Sequence, residues 1–142
     1  MRNLFVCAVA LVAIALAIGG AAAGPLPALT TAPTNLTCSL VGDNVECSWD
    51  ALSGATKYSV DVVANYTTGS ADRDFGTTDT SIIIPLSTFV VDVDGDLVAD
   101  TPTSFILRVK GLNPPGKTDY HQKTPFSSTI ICTVGGSCAP AI

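Results

Sequence analysis

The sequence is poor in positive charge, and this limits its function first. Seven Lys and Arg residues stand against 12 acidic ones, a formal net charge of −5, which leaves no basic stripe for a nucleic-acid backbone or an anionic membrane. Every acidic residue except Glu46 is an aspartate. His121 is the single histidine and no two cysteines form a close CxxC pair, so a zinc set lacks its usual ligands and spacing. No glycine-rich phosphate loop opens a helix. After the first 23 residues no segment has a helical hydrophobic period or the length of a membrane span. His121 lies among Asp119, Tyr120, Gln122 and Lys123 and reads as an exposed loop residue. Ser127 and Ser128 are near it in sequence only, and nucleophilic catalysis needs a base held by an orienting group. The expectation is therefore a protein that is not an enzyme.

The first long apolar run is N-terminal. Met1-Arg2-Asn3 is a short basic start, Leu4 to Ile18 is apolar throughout, and Gly19 to Gly24 is a string of small residues. This pattern predicts a secretory signal peptide over residues 1–23, cleaved after about Ala23. The remaining chain has the length of one domain, and its Pro- and Ala-rich opening, residues 24–31, predicts a flexible lead-in. Cys7 leaves with the signal. Cys38, Cys47, Cys132 and Cys138 remain, an even set that fits disulfides in a secreted or cell-surface protein.

The stretch from Leu36 to Asp50 organises the rest. Leu36, Cys38 and Leu40 share one parity and Val45, Cys47 and Trp49 another, the alternation of two half-buried strands. A two-residue turn at Gly42-Asp43 sets Leu40 opposite Val45 and Cys38 opposite Cys47. The favoured disulfides are Cys38–Cys47 and, across Gly135-Gly136-Ser137, Cys132–Cys138; the main rival is Cys38–Cys132. Later strands come in order. Lys57 to Ala64 turns Tyr58, Val60 and Val62 inward, Arg73 to Thr77 is a charged edge strand, and Thr80 to Leu86 is a buried strand ended by Pro85. Thr103 to Leu112 turns Phe105, Leu107 and Val109 to one face, and Pro125 to Val134 supplies the last strand. Seven strands and no helix predict an all-β sandwich.

The motifs have a family likeness. Ala32-Pro33 to Leu36, Val45-x-Cys47-x-Trp49-Asp50, Gly54-Ala55-Thr-x-Tyr58-x-Val60, Phe105-x-Leu107-Arg108-Val109-Lys110-Gly111-Leu112-x-Pro114 and Pro125-Phe126-Ser127 together resemble a fibronectin type III domain over residues 32–134, with residues 135–142 as a C-terminal tail. The resemblance implies a seven-stranded immunoglobulin-like sandwich, with Trp49 and Tyr58 in the core, and an extracellular binding or spacer module without catalytic activity. Two departures stand out. The family usually places a tyrosine where this chain has Phe105, so the hydroxyl tie to the preceding loop is expected to be missing and the loop looser. Cys38-x8-Cys47-x-Trp49 resembles the first disulfide of class I cytokine-receptor domains, but there is no Trp-Ser-x-Trp-Ser motif.

The candidate site is the insertion Val91 to Asp100. Asp92, Asp94, Asp96 and Asp100 alternate around Gly95, and carboxylates so placed suit one hard cation, with calcium as the candidate. The segment resembles the Asp-rich repeats of bacterial surface proteins and thrombospondin type 3 regions. It departs from an EF-hand loop in the place of its glycine and in lacking the terminal Glu. The alternative is a solvated acidic loop. Asn35-Leu-Thr37 and Asn65-Tyr-Thr67 match the glycosylation acceptor, for a source that uses it. No other cofactor is expected. The functional expectation is a secreted binding or adhesion module for an extracellular protein or glycan, using loops such as Ala51 to Thr56, Asp72 to Thr77 and Asn113 to Thr124. The alternative is a structural component of a surface layer, matrix or larger assembly, which would self-associate.

Overall fold

The computed structural model describes residues 29–113 and 123–142. The expected signal segment, most of the lead-in and His121 lie outside these residues. From the lead-in, Leu29 is described, and it is buried.

The hairpin forms in the expected register. β1 (Thr37–Val41) and β2 (Asn44–Ser48) pair antiparallel, with Cys38 opposite Cys47 and Leu40 opposite Val45. The turn depends on Gly42, which sits at φ +57°; a side chain there costs roughly 1–2 kcal/mol. Cys38 and Cys47 are joined, with Cα atoms 4.2 Å apart, the close approach of a non-hydrogen-bonded antiparallel pair.

The later elements are β3 (Lys57–Asn65), β4 (Ser70–Thr77), β5 (Ser81–Pro85), a short 3-10 helix over Leu86–Phe89, β6 (Ser104–Leu112), β7 (Ile130–Thr133) and β8 (Cys138–Pro140). They make two antiparallel sheets, β1-β2-β5 and β4-β3-β6-β7-β8. The chain crosses between sheets from β2 to β3, from β4 to β5 and from β5 to β6. That is a Greek-key sandwich, as expected.

Two features differ from the sequence reading. There are eight strands, because residues 135–142 are not a free tail. Gly135, at φ +74°, turns the chain, β8 pairs with β7, and Cys132 and Cys138 face one another and are joined. The ladder of the preceding strand also starts later than Pro125. Thr124 and Ser127 each donate a main-chain N–H to β6, at Gly111 and Val109. Their hydroxyls accept the return N–H bonds at 2.8 and 3.0 Å. A side-chain oxygen thus replaces a main-chain carbonyl twice, and regular pairing begins only at Ile130.

The core lies between the sheets. Val45, Ile84, Val60, Val62, Leu107 and Val109 are essentially inaccessible; each such side chain contributes about 1.5–3 kcal/mol by leaving water. Trp49 meets Tyr58 edge-on at 5.4 Å, and Phe89 meets Phe75 and Phe105 at 5.9 and 5.0 Å. Phe105 has no hydroxyl, yet the connection before β6 is tied down by a different tyrosine. Tyr66, just past β3, donates its buried hydroxyl to the Phe89 carbonyl at 2.6 Å. The expected looseness is therefore offset. Tyr66→Phe should cost about 1–3 kcal/mol, the range for stranding a buried acceptor. Urea unfolding should show a lower midpoint with an unchanged slope, and an unmoved midpoint would mean that the tie contributes nothing.

Candidate functional site

The insertion between the 3-10 helix and β6 is built by its own aspartates. Its base is closed where Val91 and Asp100 exchange backbone hydrogen bonds of 3.3 and 2.8 Å. Inside, Asp92 accepts the N–H groups of Gly95 and Leu97 at 2.7 and 2.9 Å, and Asp94 accepts that of Asp96 at 3.2 Å. Asp96 accepts that of Val98 at 2.8 Å, and Asp100 that of Val93 at 3.0 Å. Aspartate suits this role because its short carboxylate reaches nearby amides and stands in for a regular ladder.

Carboxylate oxygens of Asp92, Asp94 and Asp100 lie within 4.8 Å of one another. Asp96, expected as a fourth ligand, is not in that group; its oxygen caps Val98 instead. With Asp92 taken as the first position of an EF-hand loop, Asp94, Asp96 and Asp100 fall at the third, fifth and ninth. Leu97 falls at the sixth, where such loops keep glycine. Leu97 adopts φ +69°, so the backbone makes the left-handed turn without the residue that makes it easy. Three convergent carboxylates offer hard oxygen donors, and exposed acidic groups also stand together without an ion.

The loop itself carries exposed apolar side chains. Leu97 and Val98 are 92% and 64% exposed, and Val41, Val90 and Val134 are also exposed. An open groove of about 430 Å³ is lined by Pro85, Leu86, Val90, Pro102 and Val134 together with Asp43, Asn44, Ser87 and Thr101. This is the end of the sandwich that carries the Gly42 turn. Of the loops expected to bind, residues 114–122 lie outside the described residues, and residues 51–56 lie at the opposite end, where β2 terminates. There Leu52 and Ala55 pack on the core, and the Leu52 N–H donates to the Tyr58 hydroxyl at 2.8 Å. Residues 72–77 are not a loop but most of β4.

The outer face of the larger sheet carries a charged set that sequence reasoning missed. The register places Asp61 between Asp74 and Arg108. Asp61 is buried and paired with Arg108. The Arg108 guanidinium and the Lys110 ammonium stand 4.0 and 4.7 Å from the centre of the Phe126 ring, within cation–π range. A hydrogen bond to Asp61, reinforced by partial desolvation and by the charges of Asp61 and Asp74, pushes the Asp72 carboxyl above its ordinary range, with Arg108 opposing. The signal in sequence was Asp72-x-Asp74 and Arg108-x-Lys110, but only strand register brings the two together.

The two acceptor asparagines differ. Asn35 is exposed at φ +54° and donates to Asp50 at 2.7 Å; Asn65 is half-buried at the end of β3 and donates to Ser104 at 3.1 Å.

No family model matches the chain, and no curated protein matches it. Among solved structures it is similar to a myokine, at 17% identity and a TM-score of 0.46, over 73% of this chain and 96% of that one. It is also similar to a fibronectin type III domain of human collagen XX, at 17% identity and a TM-score of 0.45, over 79% and 99%. The architecture rests on the strand order itself: the chain folds as a fibronectin type III-like β-sandwich.

The Asp72 pair has a pH signature. Because the folded state holds the Asp72 proton more tightly than the unfolded chain does, its contribution to stability falls as pH rises from the ordinary carboxylate value through the raised one. Asp72→Asn keeps a donor and removes the charge. Thermal melts should therefore show a higher Tm than wild type at neutral pH and near-equal values at acid pH. A constant difference at all pH would exclude the raised Asp72 pKa as its cause.

Proposed function

We propose that this protein is a secreted, non-catalytic binding module that engages an extracellular protein through the end of the sandwich carrying the Gly42 turn. The observation behind this reading is the groove in which exposed Val90 and Val134 stand with Pro85, Leu86 and Pro102. Exposed apolar groups collected in one place and rimmed by polar ones mark interaction sites. Here the polar members of the groove are Asp43, Asn44, Ser87 and Thr101. An apolar valine surface suits a protein better than a glycan, which is usually held by polar groups and flat rings.

Secretion is supported by the apolar leader and by the two disulfides, which persist in oxidising compartments. Among the described residues no helix is long and apolar enough to cross a membrane. The disulfides close short loops and are worth about 2–3 kcal/mol each in the chain-entropy account, a large share for a small domain.

The test is crosslinking capture from the extracellular fraction of the source organism. Wild type is compared with a Val90→Asp/Val134→Asp variant and with Ile131→Asp, which alters the sheet face instead. Wild type and Ile131→Asp should retain the same partner and the double variant should lose it while keeping its fold. Capture by all three would place binding elsewhere, and capture by none would remove the binding reading.

A second reading concerns the loop itself. The convergence of Asp92, Asp94 and Asp100 supports calcium as a ligand that orders this end. Extracellular calcium sites bind at about 10⁻⁴–10⁻³ M, so millimolar calcium should raise Tm by mass action. Asp94→Asn/Asp100→Asn should abolish the rise and the calorimetric heat. No heat and no shift in wild type would leave a solvated acidic loop.

A further inference from the structure

The four sheet edges of this sandwich are not protected alike. β4 carries Asp72, Arg73 and Asp74 along an outer edge, charges of the kind that discourage pairing with another strand. β8, at the other side of the same sheet, is short, contains Pro140 and is bonded covalently to β7. β1 borders the smaller sheet and lies against β7 and β8. β5 has no charge and no crosslink, and its one proline, Pro85, stands only at its end. It reads Ser81-Ile82-Ile83-Ile84-Pro85, with no charge, and Ile83 is 63% exposed.

The phase of its hydrogen bonds shows what the edge offers. The Trp49 N–H bonds to the Thr80 carbonyl at 3.0 Å and the Leu86 N–H to the Asp43 carbonyl at 2.9 Å, in the same register that pairs β2 with β5. Hydrogen-bonded pairs recur at every second residue of an antiparallel ladder. Ile82 and Ile84 therefore direct their main-chain groups to β2, and Ser81, Ile83 and Pro85 direct theirs to the open side.

We propose that this open side of β5 pairs with β5 of a second copy of the chain, antiparallel about a two-fold axis at Ile83, to join two three-stranded sheets into one of six strands. The two Ile83 residues then exchange both of their N–H···O=C bonds. On either side the Ser81 N–H meets the Pro85 carbonyl of the second copy. Pro85 has no N–H to strand, so the ladder ends where the strand ends. A second copy fits because the strand is neutral in a chain of net charge −5, so no like charges meet across the axis. The nearest charge on the smaller sheet is Glu46, opposite Ile83 on β2. Its counterpart would lie three strand spacings away, about 14 Å, beyond the screening length of about 8 Å at physiological salt. The contact is isologous and closes on itself, giving a dimer rather than a fibre. It uses a strand edge that shares only Pro85 with the groove proposed above for a partner and does not include Val90 or Val134, so each idea can fail alone.

Sedimentation velocity of the purified protein from micromolar to millimolar concentration tests this, with amide exchange as a second readout. Wild type should move from monomer towards twice its mass. Ile83→Lys and Ser81→Pro should stay monomeric with native circular dichroism, and Leu97→Lys, at the tip of the acidic loop, should dimerise like wild type. In wild type the Ser81 and Ile83 amides should exchange freely when dilute and slow as concentration rises, while Ile82 and Ile84 stay protected throughout. A monomer at every concentration, or dimerisation undiminished in Ile83→Lys, would overturn the proposal. So would Ser81 and Ile83 amides protected even at high dilution, since the edge would then be covered within one chain.

Discussion

Pairing of β3 with β6, residue against residue from Lys57–Leu112 to Asn65–Ser104, is the constraint on which the rest of the molecule depends. The two strands are the longest in the sandwich and central in the larger sheet. Their shared register decides both faces at once. Inward it stacks Val60 with Val109, Val62 with Leu107 and Ala64 with Phe105; outward it sets Asp61 against Arg108. A slip of one residue would turn the apolar set to water and bury the charges. The smaller sheet has less to hold it, and its opening hairpin carries a covalent link inside the core.

The segments leaving β3 and β5 are held by a few directional bonds. The Tyr66 hydroxyl reaches the Phe89 carbonyl just as Phe89 enters the core between Phe75 and Phe105. That places the start of the acidic insertion against packed aromatic rings. The insertion itself contains little apolar burial, and its shape comes from carboxylates bonded to its own amides. Burial raises the pKa of Tyr66, with Arg73 lowering it and Asp100 adding to the rise, so the neutral hydroxyl that donates to Phe89 is the favoured form. The β3–β4 turn abuts the loop as well, and a Cβ at Gly69 would stand 3.0 Å from Val93. The loop thus has a firm base and a wet, exposed tip, an arrangement suited to recognition on a rigid scaffold.

Charge is distributed with equal economy. The net charge of −5 is not a uniform coat. Acidic groups are concentrated on β4 and its outer face and in the 92–100 loop, leaving β5 neutral and the groove with Asp43 as its one acidic residue. Arg108 serves three roles on the sheet face, pairing Asp61, opposing the raised pKa of Asp72 and lying over Phe126.

Local alternation and turn chemistry were enough to read the hairpin, to favour the Cys38–Cys47 and Cys132–Cys138 pairs over Cys38–Cys132, and to read the inward faces of β3 and β6 and the all-β class, because each depends on neighbours within a few residues or on a period of two. The acidic loop was legible for the same reason, since its aspartates act on adjacent backbone. Long-range juxtaposition was not. That Tyr66 would replace the missing hydroxyl at Phe105 needed the path of the chain after β5. That Asp61, Asp72 and Arg108 would meet needed the register of three strands. That Asp96 would turn to Val98 and leave the other carboxylates together needed the left-handed turn at Leu97. Sequence by itself determined the opening hairpin, the faces of the long strands and the favoured crosslinks, through side-chain parity and covalent chemistry, and it missed β8. Only tertiary structure decided which end is apolar, which edge stays open and which charges share a face, because those properties belong to segments far apart in the chain.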